Sequence, residues 1–217
     1  MPAAPNGLNQ IHLGGGSTAA EANELAMTVA LQNFSAQSGK AVKDLYVLGF
    51  DNSHHGSTTA TLSVSGAAAN PHKLPAFPWP KAPYPQLQFP IADFEHQNNA
   101  EEDRCVRETE ALITGNSQWG SVGAIIVEPV SSIGHQFATP RFFKGLRKLA
   151  AEHGIPFIVD ETKSGVGASG KNWAHEYWYL HDDQVPDFMT FGGKTGLSGF
   201  YSSVNHRLND NSTSFQQ

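Results

Sequence analysis

Three polar side chains lie where apolar runs of the sequence end, which is where α/β proteins bind their ligands. Asp160 ends the run IPFIVD, Glu128 lies near the end of GAIIVEP, and Lys194 follows PDFMTF inside a glycine loop. Each has an ordinary alternative: such a lysine is more often a solvated surface residue, and such a carboxylate often caps a loop. Their shared position nevertheless predicts one common site.

A further candidate site precedes the first predicted helix. Gly15, Gly16, Ser17 and Thr18 offer backbone N–H groups and hydroxyls to an anion at a helix N-terminus. An ordinary capped helix explains the same residues, since Thr18 and Glu21 fit a capping box. The dinucleotide pattern G-x-G-x-x-G fails here, because alanine stands where its third glycine is required.

The residue spacing disfavours three other kinds of site. Gly193-Lys194-Thr195 imitates the end of a nucleotide-binding P-loop, but Phe188 stands where that motif needs glycine. The serine hydrolase motif G-x-S-x-G fails in GVGASG (165–170). A metal site is not predicted, because the histidines form no H-x-x-x-H pair and Asp160-Glu161 lacks ligand spacing.

The remaining residues match the needs of pyridoxal phosphate (PLP). Its phosphate needs backbone donors, its ring nitrogen a carboxylate, its aldehyde a lysine, and its ring a flat face for stacking. The glycine loop, Asp160, Lys194 and the pair His54-His55 offer one candidate for each need.

The elements that must position these residues predict an α/β fold, with a mostly parallel sheet and helices on both faces. The predicted strands are 44–50, 123–129, 155–160, 186–191 and 199–204, and 51–59 is a polar loop. The predicted helices start after Thr18, cover 100–113, and run from the N-cap Thr139 to Gly154. The segment 71–90 holds seven prolines and is predicted to be an extended surface connection.

Composition indicates a soluble, mildly acidic globular protein of 217 residues, with net charge −6 and 39% hydrophobic residues. No basic field for nucleic acid or anionic membranes is predicted, and no run is long and apolar enough to span a membrane. The single cysteine, Cys105, excludes an intrachain disulfide framework and a cysteine-rich zinc site.

The motifs between residues 126 and 201 resemble those of class III aminotransferases. They are IVEP (126–129), HGIPFIVDE (153–161), SGVGASGKNWAHE (164–176) and PDFMTFGGKTGLSGFY (186–201). The resemblance extends to HHG (54–56) and GGSTAAEAN (15–23). Two further segments are similar to the eukaryotic 4-aminobutyrate aminotransferases in particular: LPAFPWPKAPYPQLQFP (74–90) and HQNNAEEDRCVRETEALI (96–113).

This resemblance implies the large domain of PLP-dependent transferase fold type I, and it assigns roles by position. Lys194 would be the Schiff-base lysine, and Asp160 would pair with the pyridine nitrogen. Gly16, Ser17 and Thr18 would bind the phosphate, and His54 stands where the family stacks an aromatic ring on the cofactor. The supporting residues would be His55, Gly56 and Glu128, with Lys163 near a cofactor oxygen.

Four departures from the family pattern involve five positions. Ser57 replaces an arginine and Ile133 a glutamate that serve recognition of the substrate carboxylate, which puts the amino donor in doubt. Lys163 replaces a glutamine. Gly15 and Thr18 replace cysteines that hold an iron–sulfur cluster in some members, so no cluster is predicted.

The resemblance also predicts that residues 1–217 form an incomplete large domain, without the small domain and its substrate arginine. It implies a homodimer at full length and, by analogy with the family, the mitochondrial matrix; no targeting segment is visible, so the cytoplasm is the alternative. The leading hypothesis is transamination of an ω-amino acid, 4-aminobutyrate above all, with 2-oxoglutarate as acceptor. The main alternative is a non-catalytic remnant that binds PLP weakly or not at all.

Overall fold

The computed structural model describes residues 3–181, 184–194 and 196–206, which form a seven-stranded sheet with helices packed on it. The strands are β1 (Gln10–Leu13), β2 (Leu45–Phe50), β3 (Lys81–Ala82), β4 (Ser121–Val127), β5 (Phe157–Asp160), β6 (Phe188–Phe191) and β7 (Gly199–Ser202). The helices are α1 (Ala19–Ser38), α2 (Thr59–Val64), α3 (Glu95–Thr114) and α4 (Pro140–Glu152).

The sheet is parallel except around β7. Its strand order is β1-β7-β6-β5-β4-β2-β3. Neighbours from β3 to β6 pair in parallel, whereas β7 is antiparallel to both β6 and β1. β1 therefore points in the same direction as β6, and the predicted α/β class with a mostly parallel sheet is confirmed.

Helices cover both faces, because successive side chains of a strand point to opposite sides. In β4, Ile125 joins the core on the α4 side together with Phe142 and Leu146. Its neighbour Ile126 joins the core on the α1 side with Met27. The central strands are buried on both faces, which explains why they read as unbroken apolar runs.

Local signals start α1 and α4 at the predicted N-caps. Thr18 is the N-cap of α1 and forms a complete capping box with Glu21, and Gly39 ends the helix in the left-handed region. Thr139 caps α4 by accepting a hydrogen bond from the Arg141 backbone N–H, with Pro140 in the first turn.

Four elements differ from the prediction. β1 was not predicted, and the unpredicted α2 begins at Thr59, the last residue of the predicted polar loop 51–59. The proline-rich segment contributes the two residues of β3 at the edge of the sheet, where a strand can tolerate neighbouring prolines. Helix α3 also starts earlier than the predicted 100–113. In the described ranges, no helix combines the length and apolarity that crossing a bilayer requires.

Candidate active site

The candidate site lies along one edge of the sheet, which we call the carboxyl edge. It comprises the ends of β1, β2, β4, β5 and β6 and the loops that follow them; these strands all point in one direction. All the predicted site residues lie there, namely Gly16, Ser17, Thr18, His54, His55, Glu128, Asp160, Lys163 and Lys194.

Asp160 ends β5 with its carboxylate almost fully buried, at 2% exposure. Oδ2 accepts hydrogen bonds from His55 Nδ1 at 2.7 Å and from Asn23 Nδ2 at 2.8 Å. Oδ1 accepts from the Thr162 backbone N–H at 3.0 Å and from its hydroxyl at 2.6 Å. Four donors thus converge on one carboxylate.

These donors determine the charge of Asp160. Burial opposes ionisation, but the hydrogen bonds from His55 and Thr162 outweigh it and lower the pKa of Asp160 below its ordinary value. The sheet edge therefore holds a buried anion at neutral pH. Such an anion is suited to stabilising a positive charge placed beside it.

Of the residues around this carboxylate, His55 was predicted from the sequence, whereas Asn23, Thr162 and Thr190 were not. Asn23 also donates to the His55 carbonyl oxygen at 2.8 Å, and it accepts from the Thr190 hydroxyl at 2.6 Å. A signal was present, because Asn23 interrupts the apolar face that α1 presents through Ala22, Ala26 and Ala30. A fully buried asparagine on such a face needs polar partners.

The glycine loop after β1 leads directly into the capped start of α1. Both the backbone N–H and the hydroxyl of Thr18 donate to Glu21 Oε2, at 3.1 and 2.9 Å. These bonds lower the pKa of Glu21. Both donors of Thr18 are therefore engaged within the helix cap, and the predicted phosphate role would rest chiefly on Gly16 and Ser17.

The loop that carries Lys194 packs onto this glycine loop. The Gly193 N–H donates to the Ser17 carbonyl at 3.0 Å. A Cβ at Gly192 would lie 3.2 Å from Ala19 Cα and 3.2 Å from the Thr18 carbonyl oxygen, so the close approach favours glycine. Gly193 itself has φ +77, a left-handed conformation that glycine adopts readily.

The Lys194 amine reaches back across the edge to the loop after β5. Its Nζ donates to the Lys163 carbonyl oxygen and lies 3.5 Å from the Gly165 carbonyl oxygen. Both partners are neutral carbonyls, so the amine is held in place without an ion pair to either. Thr195, the next residue of the loop, lies outside the described residues.

Glu128, His54 and Lys163 form a second polar group. Glu128 is 3% exposed and accepts from the backbone N–H groups of His54 at 3.0 Å and Ser132 at 3.1 Å. Lys163 Nζ lies 3.1 Å from Glu128 Oε1 and 3.1 Å from His54 Nδ1. Ser132, which donates its hydroxyl to Glu128, was not predicted.

The geometry fits a ligand with a phosphate and a protonated ring nitrogen. The anion of Asp160 is buried, and in the described part of the chain nothing lies within 4 Å of a Cβ built on Gly15 or Gly193. Space is thus open beside Gly15 and Gly193, whereas the carboxylate of Glu21 lies against Gly16. Across the described ranges, no three His, Cys, Asp or Glu side chains are grouped to hold a metal ion.

Curated relatives of this chain are 4-aminobutyrate aminotransferases. The chain is 43% identical to that of Dictyostelium discoideum over 175 residues, which is 79% of this chain and 34% of the relative. It is 41% identical to the human mitochondrial 4-aminobutyrate aminotransferase over 170 residues, 76% of this chain and 33% of the relative. The chain thus spans about a third of the length of these two relatives.

Solved structures share the fold. A lysine aminotransferase from M. tuberculosis superposes with a TM-score of 0.79 at 23% identity, covering 92% of this chain and 45% of that one. An amine transaminase from an uncultivated Pseudomonas species gives a TM-score of 0.75 at 22% identity, covering 92% and 45%. The sequence profile described as aminotransferase class-III matches residues 12–213. The chain therefore belongs to the class-III aminotransferase family.

Proposed function

We propose that the protein to which this chain belongs is a PLP-dependent transaminase that moves the amino group of an ω-amino acid, 4-aminobutyrate above all, to 2-oxoglutarate. The observation that carries this proposal is the meeting of three features at the carboxyl edge. These are the buried anion of Asp160, the amine of Lys194 and the open glycine loop. The names of the curated relatives supply the substrate.

Each residue has a physical task in this proposal. PLP, when bound, supplies an electron sink for charge that develops at the substrate carbon. Asp160 stabilises the protonated ring nitrogen, and the N–H groups of Gly16 and Ser17, with the start of α1, bind the phosphate. Lys194 Nζ would hold the cofactor, and its amine would move the proton at the substrate carbon.

The second polar group has supporting tasks. His54 offers a flat ring to one face of the cofactor, and His55 fixes Asp160 through the 2.7 Å hydrogen bond. Glu128 orders the His54 and Ser132 backbone and pairs with Lys163, which would lie near a cofactor oxygen. From the resemblance to the family we also propose a homodimer and a location in the mitochondrial matrix; the names of the human and pig relatives contain the word mitochondrial.

The substrate assignment meets one difficulty. Ser57 and Ile133 stand where the 4-aminobutyrate enzymes are expected to carry carboxylate-recognition residues. Either the donor carboxylate is recognised elsewhere in the complete protein, or the donor differs. A non-catalytic remnant is the second candidate, and these same two positions favour it.

Borohydride trapping tests the cofactor assignment. The purified chain is incubated with PLP, reduced and digested, and the labelled peptide is identified by mass spectrometry. We expect the label on Lys194, and we expect Lys194→Arg to abolish it while the control Lys171→Arg retains it. Label on Lys163 or Lys171 in the parent chain would refute the assignment.

Turnover separates the substrate hypothesis from the remnant. The complete protein, supplied with PLP, 4-aminobutyrate and 2-oxoglutarate, is expected to form glutamate. Label on Lys194 without glutamate formation, for any ω-amino acid tested, would favour the remnant.

A further inference from the structure

The ammonium of Lys163 lies in a confined polar setting, although the side chain is 44% exposed. Nζ is 3.1 Å from Glu128 Oε1 and 3.1 Å from His54 Nδ1. It also donates to the Ser132 hydroxyl oxygen and to the His54 carbonyl oxygen. Because Glu128 is buried and fixed by other donors, it anchors the end of the flexible lysine chain.

The chemistry of the ammonium restricts the state of His54. An ammonium carries three N–H donors and no acceptor, and here four acceptor atoms surround it. A hydrogen bond from Lys163 Nζ to His54 Nδ1 therefore requires that Nδ1 carry the lone pair of the imidazole. A protonated imidazole would instead turn an N–H toward that ammonium, losing the hydrogen bond and setting two cations about 3 Å apart.

We propose that Lys163 is a positioning residue that holds the His54 imidazole neutral, with its lone pair on Nδ1 and its proton on Nε2. This assignment concerns residues of the chain alone and does not require a bound cofactor.

The other charges around His54 are consistent with a neutral ring. Burial lowers the pKa of His54, and Lys163 and His55 lower it further, whereas the carboxylates of Glu128 and Asp160 raise it. The carboxylates are each engaged elsewhere, Glu128 by Lys163 and Asp160 by His55. The net effect keeps the pKa of His54 below its ordinary value.

The consequence for the cofactor rests on the proposed function. A ring that stacks against a pyridinium should be uncharged, because an imidazolium there would repel it. Lys163 departs from the family pattern, which has a glutamine there. His54 stands where the family stacks an aromatic ring on the cofactor. The geometry explains them together, since the lysine makes a histidine usable as a neutral stacking ring.

Nuclear magnetic resonance tests the proposal directly on the 217-residue chain without PLP. Long-range ¹⁵N–¹H correlations report the tautomer of each imidazole, and His54→Gln identifies the signals of His54. We expect the parent to show the Nε2–H tautomer. We expect Lys163→Met to raise the pKa of His54 by about 1 unit or more, because a repelling cation is removed and Glu128 is left uncompensated.

Two further variants separate charge from hydrogen bonding. Lys163→Gln removes the cation and keeps an N–H donor, so the pKa of His54 should rise while the tautomer is retained. Lys163→Arg keeps both the positive charge and an N–H donor, so the pKa and tautomer of His54 should match those of the parent. Lys171→Gln also removes one positive charge and is the matched control. Lys171 has a different contact, because its Nζ lies over the Tyr177 ring, 4.5 Å from the ring centre.

A folded Lys163→Met chain with the parent's tautomer and pKa at His54 would overturn the proposal. If that variant does not fold, an unchanged pKa of His54 in Lys163→Gln would also overturn the proposal. PLP titration then examines the consequence. The ratio of Kd in Lys163→Met to Kd in the parent should grow as pH falls, up to about tenfold for a shift of one pKa unit. Failure of every chain to bind PLP would refute the proposed function and leave the NMR result standing.

Discussion

A single buried carboxylate organises the carboxyl edge. Asp160 accepts hydrogen bonds from α1 through Asn23, from the loop after β2 through His55, and from its own loop through Thr162. These donors must already be in place before any ligand arrives, so the folded chain itself stabilises the anion. Asp160 should therefore contribute to stability as well as to the proposed chemistry.

The pH dependence of this contribution has a definite sign. The folded-state pKa of Asp160 lies below its ordinary value, which is about 3.9. Its stabilisation is thus complete above that ordinary value and is lost as pH falls through the folded-state pKa. Asp160→Asn replaces the carboxylate oxygen that accepts from Asn23 and His55 by an NH2 group, which cannot accept a hydrogen bond. The substitution should therefore lower the unfolding free energy by roughly 2 kcal/mol at pH 7.

Urea denaturation from pH 7 down to pH 3 measures the effect. The difference between parent and Asp160→Asn should stay constant down to about pH 5 and shrink below about pH 4. Asp93→Asn, at an exposed position, serves as the control and should give a small difference throughout. A difference that grows on acidification would contradict the assignment of Asp160 as a stabilised anion.

Among the elements, α3 and α4 are joined by a buried side-chain cap. Glu102, 1% exposed, accepts from the Thr139 backbone N–H at 2.7 Å and from its hydroxyl at 2.8 Å. Burial raises the pKa of Glu102 even though these hydrogen bonds act against it. The carboxylate thus helps to hold the start of α4 against α3.

Removing this cap should destabilise the helix pair. Glu102→Ala leaves both donors of Thr139 without that acceptor, which should lower the unfolding free energy by about 1–3 kcal/mol. Glu102→Gln keeps an acceptor and removes the buried charge, so its cost should be smaller. Glu110→Ala, on an exposed position of the same helix, should change stability by less than about 0.5 kcal/mol. Equal effects of Glu102→Ala and Glu110→Ala in chemical denaturation would refute the role of the cap.

An element could be predicted when its own residues specify it, and it was missed when it depends on contacts with distant parts of the chain. β4 and β5 are buried on both faces and α4 has a cap and a clear stripe, so their own residues specify them. β1 has only four residues, with Ile11 and Leu13 partly exposed, and it exists because it pairs with β7 far along the chain. The short α2 is rich in threonine, a weak helix former, and is held by the Thr58 cap and by tertiary packing.

The site followed the same rule. Asp160, Glu128 and Lys194 were predictable because strand ends of a parallel sheet meet at one edge. The partnership of Asn23 with Asp160 was harder to predict, because it joins residues 137 apart in the sequence and arises only when α1 packs on the sheet. Thr190 lies on β6 directly opposite Asp160 in the parallel register, and its hydrogen bond to Asn23 depends on the same packing of α1.

At the scale of the described sheet, the core beside α4 and the core beside α1 are connected through shared strands. β4 contributes Ile125 to the core with α4 and Ile126 to the core with α1, and β5 divides its side chains in the same way. Loss of either core would therefore expose the strand that supports the other. We expect the described sheet and its helices to unfold as one cooperative unit.

Two conservative substitutions test this expectation from opposite faces of β4. Ile125→Val and Ile126→Val each remove one methylene group from a fully buried side chain, at a cost of about 0.5–1.5 kcal/mol. Because the faces share the strand, each should shift a single transition, seen alike by tryptophan fluorescence and far-ultraviolet circular dichroism. Val130→Ala, at a 42% exposed position beyond the strand, should leave the midpoint nearly unchanged. Separate transitions, or a substitution that moves one probe and leaves the other in place, would mean that the two cores unfold independently.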